Sequence, residues 1–254
     1  MTPPAVEMSD LSFSYDGSSV LADVRLSVQC GDFVGVVGPN GGGKTTLLKL
    51  ILGLLRPSSG WVRVFGERPH RTRNRIGYVP QSFAAPGGFP VTTIEVVLTG
   101  RLRSRGPVGR YGHADRRAAE AALERVGLAD HADRPLGSLS GGQRQRALIA
   151  RGLTAGTDML VLDEPTAHVD FAAENEIHTV LQDVNRDMTI ILVTHDLSFV
   201  TSAVRTVFCV NRRVTRHETH AVDDATDDLI RRMYASGKKM VLHDECCDGT
   251  ESPC

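Results

Sequence analysis

Apolar residues along the first forty positions fall into two rhythms. From Val6 to Tyr15 and again from Val20 to Val28 they alternate with polar residues, as in Val24-Arg25-Leu26-Ser27-Val28. That period of two predicts half-exposed strands joined by the turn Asp16-Gly17-Ser18. Phe33-Val34-Gly35-Val36-Val37 then runs apolar without interruption and is rich in β-branched residues, which predicts a fully buried strand. After a glycine-rich interval, Leu47, Leu48, Leu50, Ile51 and Leu54/Leu55 recur at helical spacing, so a helix starts near Lys44. Trp61–Phe65, Ile76–Gln81, Met159–Glu164 and Thr189–Val193 read as further strands, and Val204–Val210 with Arg213-Val214 as a closing hairpin.

Between residues 85 and 155 the texture changes. A Gly/Pro-rich break, Ala85–Pro90, leads into Thr92-Thr93-Ile94-Glu95. Thr92 and Glu95 form a capping box that opens a helix through Leu98. Arg101–Gly112 is basic and contains glycine, as exposed loops do, and His113–Val126 is rich in the good helix formers Ala, Arg and Glu. The expected fold class is α/β, with N-terminal strands joined by turns and a helical subdomain, about residues 85–155, inserted into the core. Residues 5–235 are expected to form a single domain, with a helix at Asp223–Tyr234 and a polar, flexible tail at 236–254.

The glycine-rich interval carries the chemistry. Gly38-Pro39-Asn40-Gly41-Gly42-Gly43-Lys44-Thr45-Thr46 matches G-x-x-x-x-G-K-[ST] at every required position, with a strand before it and a helix after it. Glycines let the backbone turn its N–H groups toward a phosphate with no Cβ in the way. The helix N-terminus adds partial positive charge, Lys44 a full one, and the Thr45 hydroxyl is a ligand suited to Mg²⁺. A nucleoside triphosphate is the expected ligand.

Other candidates gain meaning from that loop. Asp163 and Glu164 end an apolar strand: one acid suits Mg²⁺ and its neighbour suits polarising an attacking water. Tyr15 reads either as an aromatic platform for a base or as a sheet-edge aromatic. Gln81 ends a strand, and His195 ends another, where it could meet a terminal phosphate or stay in a satisfied turn. Leu139-Ser140-Gly141-Gly142-Gln143 opens an Arg-rich helix and makes a second anion-binding N-terminus. One nucleotide in one chain rarely needs both, so the second is expected to serve another copy of the protein.

Composition narrows the class. The 254 residues carry a net charge of −1, which argues against a general nucleic-acid binder. No apolar run has the length of a membrane-spanning helix, and Met1-Thr2-Pro3-Pro4 lacks the basic-then-apolar layout of a secretory signal. The five cysteines form no disulfide framework and no C-x-x-C pair, as expected of a reduced, cytoplasmic protein.

In order and spacing, the loop at 38–45, Gln81, Leu139–Gln143, Leu160–Glu164 and His195 resemble the ATP-binding subunit of ABC transporters. The resemblance spans about residues 5–235, and Leu-Ser-Gly-Gly-Gln is its most specific part; it implies a phosphate-loop, RecA-like core with an N-terminal antiparallel β subdomain and an inserted helical subdomain. It implies that Tyr15 stacks on adenine and that Gln81 senses Mg²⁺ and the attacking water. It implies that Glu164 is the general base, that Asp163 holds Mg²⁺ through water and that His195 contacts the γ-phosphate. Ser140, Gly142 and Gln143 would close over ATP bound to a second copy. The implied cofactors are ATP and Mg²⁺. The implied partners are an integral-membrane permease, a second copy and, without direct contact, an extracytoplasmic solute-binding protein, with the chain peripheral on the cytoplasmic face.

Phe89–Arg101 looks like the helical-subdomain opening of zinc and manganese importers, and Val169-Asp170 leans the same way; iron-siderophore and haem importers are the runner-up. A soluble member such as an iron–sulfur assembly ATPase is the alternative outside transport. One departure is Ala167-His168-Val169-Asp170, where the family usually runs small residue, Leu, Asp: Asp170 is retained, but His168 is bulkier. His243, Cys246, Cys247 and Cys254 match no closed tetrahedral metal site.

Overall fold

The computed structural model describes residues 2–81, 91–104, 110–167, 169–195 and 204–218. His168, the Phe89-Pro90 opening, the helix expected at 223–234 and the tail at 236–254 lie outside them.

Nine strands and six α-helices follow the order β1 (Val6–Tyr15), β2 (Ser18–Val28), β3 (Phe33–Val37), α1 (Lys44–Ile51), β4 (Ser59–Val64), α2 (Pro69–Thr72), β5 (Ile76–Val79), α3 (Thr93–Leu98), α4 (His113–Arg125), α5 (Gly141–Leu153), β6 (Met159–Asp163), α6 (Phe171–Asn185), β7 (Thr189–Val193), β8 (Thr206–Asn211) and β9 (Arg213–Glu218) among the described residues. β2, β1 and β4 make an antiparallel three-stranded sheet. The second sheet has the order β5-β6-β7-β3-β8-β9, parallel except for β9, which pairs antiparallel with β8.

The continuous apolar runs owe their character to this second sheet, which is covered on both faces. Along β3, Phe33 and Val37 face one core while Val34 and Val36 face the other. Leu160 and Leu162 of β6 and Ile190 and Leu192 of β7 join the first core, with α3, α4, α5 and α6. Met159, Val161, Ile191 and Val193 join the second, with α1 and the antiparallel sheet. Strand periodicity is intact; it is hidden in the sequence because both faces are apolar.

Helix boundaries have local causes. The Thr92 amide and hydroxyl both donate to Glu95 Oε2 at 2.8 Å, as the capping box predicts, and α3 begins there. α1 stops at Ile51, short of Leu54/Leu55. Gly53 takes φ 65°, its N–H donates to the Leu50 carbonyl at 3.0 Å and that of Leu54 to the Lys49 carbonyl at 2.8 Å. This paired closure is a left-handed glycine cap that ends the helix and leaves Leu54 exposed. The apolar spacing continues past the helix, but the glycine decides where it ends.

α6 is an element that the apolar pattern signals only modestly. Asp170 caps it, accepting from the Ala173 N–H at 2.8 Å, and Ile177, Leu181 and Val184 bury its inner face. Three buried apolar positions in fifteen residues, with Val180 packed beside them, are enough because α5 already covers one flank. Arg146 of α5 reaches Glu176 at 2.9 Å, and Arg125 of α4 reaches Asp183 and Asp187 at 3.0 and 2.6 Å.

Candidate functional site

The loop between β3 and α1 is pressed against its own chain. An added Cβ on Gly38 would sit 2.1 Å from the Val210 carbonyl oxygen of β8, and one on Gly42 would sit 2.7 Å from the same atom. Gly42 also accepts from the Arg212 N–H at 3.1 Å, and Gly43, at φ 106°, takes the N-cap position of α1. Lys44 folds over the loop and donates to the carbonyls of Gly38 and Pro39 at 2.8 and 3.1 Å. Burial holds its ammonium below the usual lysine range, with Glu164 and Asp163 partly offsetting the effect. A buried cation held directly by two carbonyl oxygens favours an incoming anion.

β6 delivers Asp163 next to the loop, nearly fully buried. Burial pushes its carboxyl above the ordinary range and the charge of Glu164 adds to this; Lys44 and a hydrogen bond with Tyr78 oppose it. The strand ends at Asp163. Glu164 lies outside it with φ 49°, a conformation that costs energy for a non-glycine residue. Its N–H still donates to the Val193 carbonyl at 2.8 Å, so the bend re-aims the carboxylate while the chain stays on the sheet. Gln81 Nε2 donates to Glu164 Oε2 at 2.8 Å, and His195 Nδ1 lies 3.6 Å from the same oxygen. The His195 side chain is 65% exposed against 14% for Glu164, so the pair is wet on one side and enclosed on the other.

Gly38, Pro39, Asn40, Gly41, Gly43, Lys44, Thr45, Thr46, Gln81, Asp163, Glu164 and His195 thus line one cleft of about 790 Å³, which Val20 completes. Four residues from different parts of the chain converge with the loop on a single opening. Gly42 lies outside the lining, turned toward Val210. Tyr15 also lies outside it, at the far end of β1, 42% exposed and edge-on to Phe13 at 4.8 Å between ring centroids.

Ser140, Gly142 and Gln143 do not line the cleft either. They open α5 through a reciprocal pair: Ser140 Oγ accepts from the Gln143 N–H at 3.2 Å and Gln143 Oε1 accepts from the Ser140 N–H at 3.1 Å. Gly142 is packed so closely that an added Cβ would fall 2.4 Å from Ala173 Cβ of α6. Sequence reasoning overlooked Tyr78, whose hydroxyl bonds Asp163, and Val210, whose carbonyl fixes two loop glycines. A tyrosine inside an apolar strand was the available signal for the first; nothing local marks the second.

A second cleft, of about 620 Å³, lies where the core meets the helical region. Leu52, Leu54, Tyr78, Gly100, Leu102 and Arg151 are among its walls. Leu54 and Leu102 are each 56% exposed, and Arg151 donates to the Tyr78 carbonyl at 3.2 Å.

Comparison with known proteins agrees with this geometry. The family model described as ABC transporter matches residues 21–167. The zinc uptake system ATP-binding protein ZurA of Listeria innocua is 37% identical over 258 residues, covering 98% of each chain. The manganese transport system ATP-binding protein MntB of Bacillus subtilis is 42% identical over 193 residues, covering 76% of this chain and 77% of its own. Among solved structures, the ATP-binding cassette MJ0796, a dimer in a post-hydrolysis state bound to ADP and Pi, superposes with a TM-score of 0.70 at 26% identity. It covers 85% of this chain and 99% of that one. ATP-binding domains of this kind dimerise and pair with a membrane permease. The chain belongs to the ABC transporter family, as an ATP-binding domain whose hydrolysis of ATP drives transport.

Proposed function

We propose that this chain powers import of a divalent metal cation, zinc or manganese, from the cytoplasmic face of the membrane. The substrate reading is supported by relatives named for zinc and manganese uptake. The observation that carries the ATPase mechanism is the convergence of Gln81, Asp163, Glu164 and His195 on the phosphate-loop cleft.

Phosphates seat on the loop's N–H groups and draw Lys44 from the carbonyls of Gly38 and Pro39. Thr45, Gln81 and Asp163 offer oxygen donors, the ligand chemistry that Mg²⁺ prefers; when bound, it neutralises charge on the phosphates. Glu164, held by Gln81, takes a proton from the attacking water, and His195 faces the γ-phosphate from the wetter side. Tyr15 stacks on the adenine. Ser140, Gly142 and Gln143 lie off the cleft because they complete the site of a second copy, so hydrolysis requires a dimer with two shared nucleotides. The permease seats in the second cleft, where Leu54 and Leu102 give it apolar anchors and Tyr78 connects it with Asp163. A solute-binding protein delivers the metal on the opposite side of the membrane, and residues 5–235 act as one domain.

Metal uptake in a strain lacking this gene tests the reading. Wild-type chain restores accumulation of radiolabelled zinc or manganese, and Glu164→Gln does not. Restoration of neither metal overturns the substrate assignment; full restoration by Glu164→Gln overturns the role of the acid.

A further inference from the structure

We infer that His131 is a positioning residue for the Ser140–Gln143 segment, holding the Gln143 carboxamide so that the Ser140 hydroxyl faces a second copy's nucleotide. The inference rests on the dimer reading above and adds to it a residue outside the segment.

The hydrogen bonds at the start of α5 can be read in only one direction. Gln143 Oε1 accepts from the Ser140 N–H at 3.1 Å, so the carboxamide oxygen is committed to that side. The end that faces His131 is therefore the NH₂ group, with Gln143 Nε2 at 3.2 Å from His131 Nε2. An amide nitrogen only donates, so His131 Nε2 is the lone-pair nitrogen and the ring proton sits on Nδ1. That Nδ1 is buried with no hydrogen-bond partner among the described residues. The ring keeps Nε2 on Gln143 all the same.

The consequence reaches Ser140. Because Ser140 Oγ accepts from the Gln143 N–H, its own proton is free to point outward toward an anionic oxygen. Without His131 the carboxamide can rotate, and the Ser140 N–H loses its acceptor along with the fixed hydroxyl. The post that holds the imidazole is itself firm. The His131 N–H donates to the carbonyl of Leu128, a fully buried residue, and the Ala132 and Arg134 carbonyls accept from Ile94 and Thr93 at the start of α3 at 2.9 Å. Gly142, packed on Ala173, keeps α5 from backing away.

The test uses full-length protein carrying Glu164→Gln to slow hydrolysis, with ATP-driven dimerisation followed by light scattering. Nucleotide binding to the monomer is followed with a fluorescent ATP analogue, and folding by thermal melting. His131→Leu should weaken dimerisation about fivefold, the loss of one neutral hydrogen bond, with monomer nucleotide affinity unchanged. His131→Gln carries an oxygen acceptor at similar reach and should return dimerisation to within about twofold of the parent. A merely structural role would move both variants together with the melting temperature. Dimerisation by His131→Leu at parental strength overturns the inference, as does failure of His131→Gln to rescue at matched melting temperature. A parent protein that never dimerises with ATP overturns the dimer reading instead, and the role of His131 falls with it.

Discussion

Two helix N-termini marked by glycines, those of α1 and α5, share a design and differ in completeness. At α1 the turn is enclosed by its own chain: Val210 presses on Gly38 and Gly42, Lys44 is buried, and Asp163, Glu164, Gln81 and His195 surround the space in front. At α5 Ser140 and Gly141 are exposed, the capping groups are satisfied among themselves and with His131, and none of them lines the cleft. A helix N-terminus attracts an anion wherever it occurs. What makes one a reaction centre is the company that the sheet brings to it, and among the described residues α5 has no such company.

That contrast can be broken at several points. The largest effect belongs to the acid of the enclosed site: Glu164→Gln should lower ATP turnover about 10²- to 10³-fold in a phosphate-release assay, with nucleotide binding retained. Turnover at the wild-type rate would remove Glu164 from the mechanism. At the open site, Gly142→Val drives a side chain into Ala173 and tilts α5. Dimerisation with ATP should weaken more than tenfold while monomer nucleotide affinity stays within about twofold. Equal loss of both would mean that the two N-termini are not separable.

Phe171 offers a milder probe. It stands at the first position of α6, beside Ala173, and is 78% exposed. If that aromatic is covered in the dimer, Phe171→Ser should weaken association about tenfold, following the apolar area lost, and leave monomer melting unchanged. Unchanged association would place Phe171 off the interface.

The smallest effect is on stability. Asp163 has its carboxyl raised in the folded state, mainly by burial. A carboxyl raised in this way binds its proton more tightly folded than unfolded. Its contribution to stability is therefore full below the ordinary value of 3.8 and is lost as pH rises through the folded value. At neutral pH the ionised group is a net cost, so Asp163→Asn should raise the melting temperature of nucleotide-free protein by about 2 °C. A lower melting temperature would show that the Tyr78 bond and Lys44 outweigh burial.

Much of this layout was legible from residue order. The phosphate loop, the buried strands before and after it, and the capping box at Thr92 are local chemistry, and each is found where the pattern puts it. The end of α1 was harder, because Leu54 keeps the apolar spacing after Gly53 has already turned the chain. α6 was overlooked since its inner face shows three buried apolar residues and its cap, Asp170, looks like part of a catalytic segment. The meeting of Gln81 with Glu164 is a long-range contact between the segments that follow β5 and β6, and no spacing along the chain encodes it. Nor does any spacing reveal that Glu164 leaves the strand by a left-handed step.

β5 has a mechanical meaning of its own. It is one of the sheet's two outer strands and, among the described residues, pairs along one side only, with β6. Tyr78 on it holds Asp163 through its hydroxyl, receives Arg151 at its carbonyl and lines the second cleft, and the chain reaches Gln81 two residues after the strand ends. A strand tethered on one side is a compliant member of a stiff sheet, and this one lines the second cleft and leads within two residues to Gln81 in the first. A push arriving at either opening is therefore taken up by the same few residues, and the rest of the sheet can stay rigid while they move.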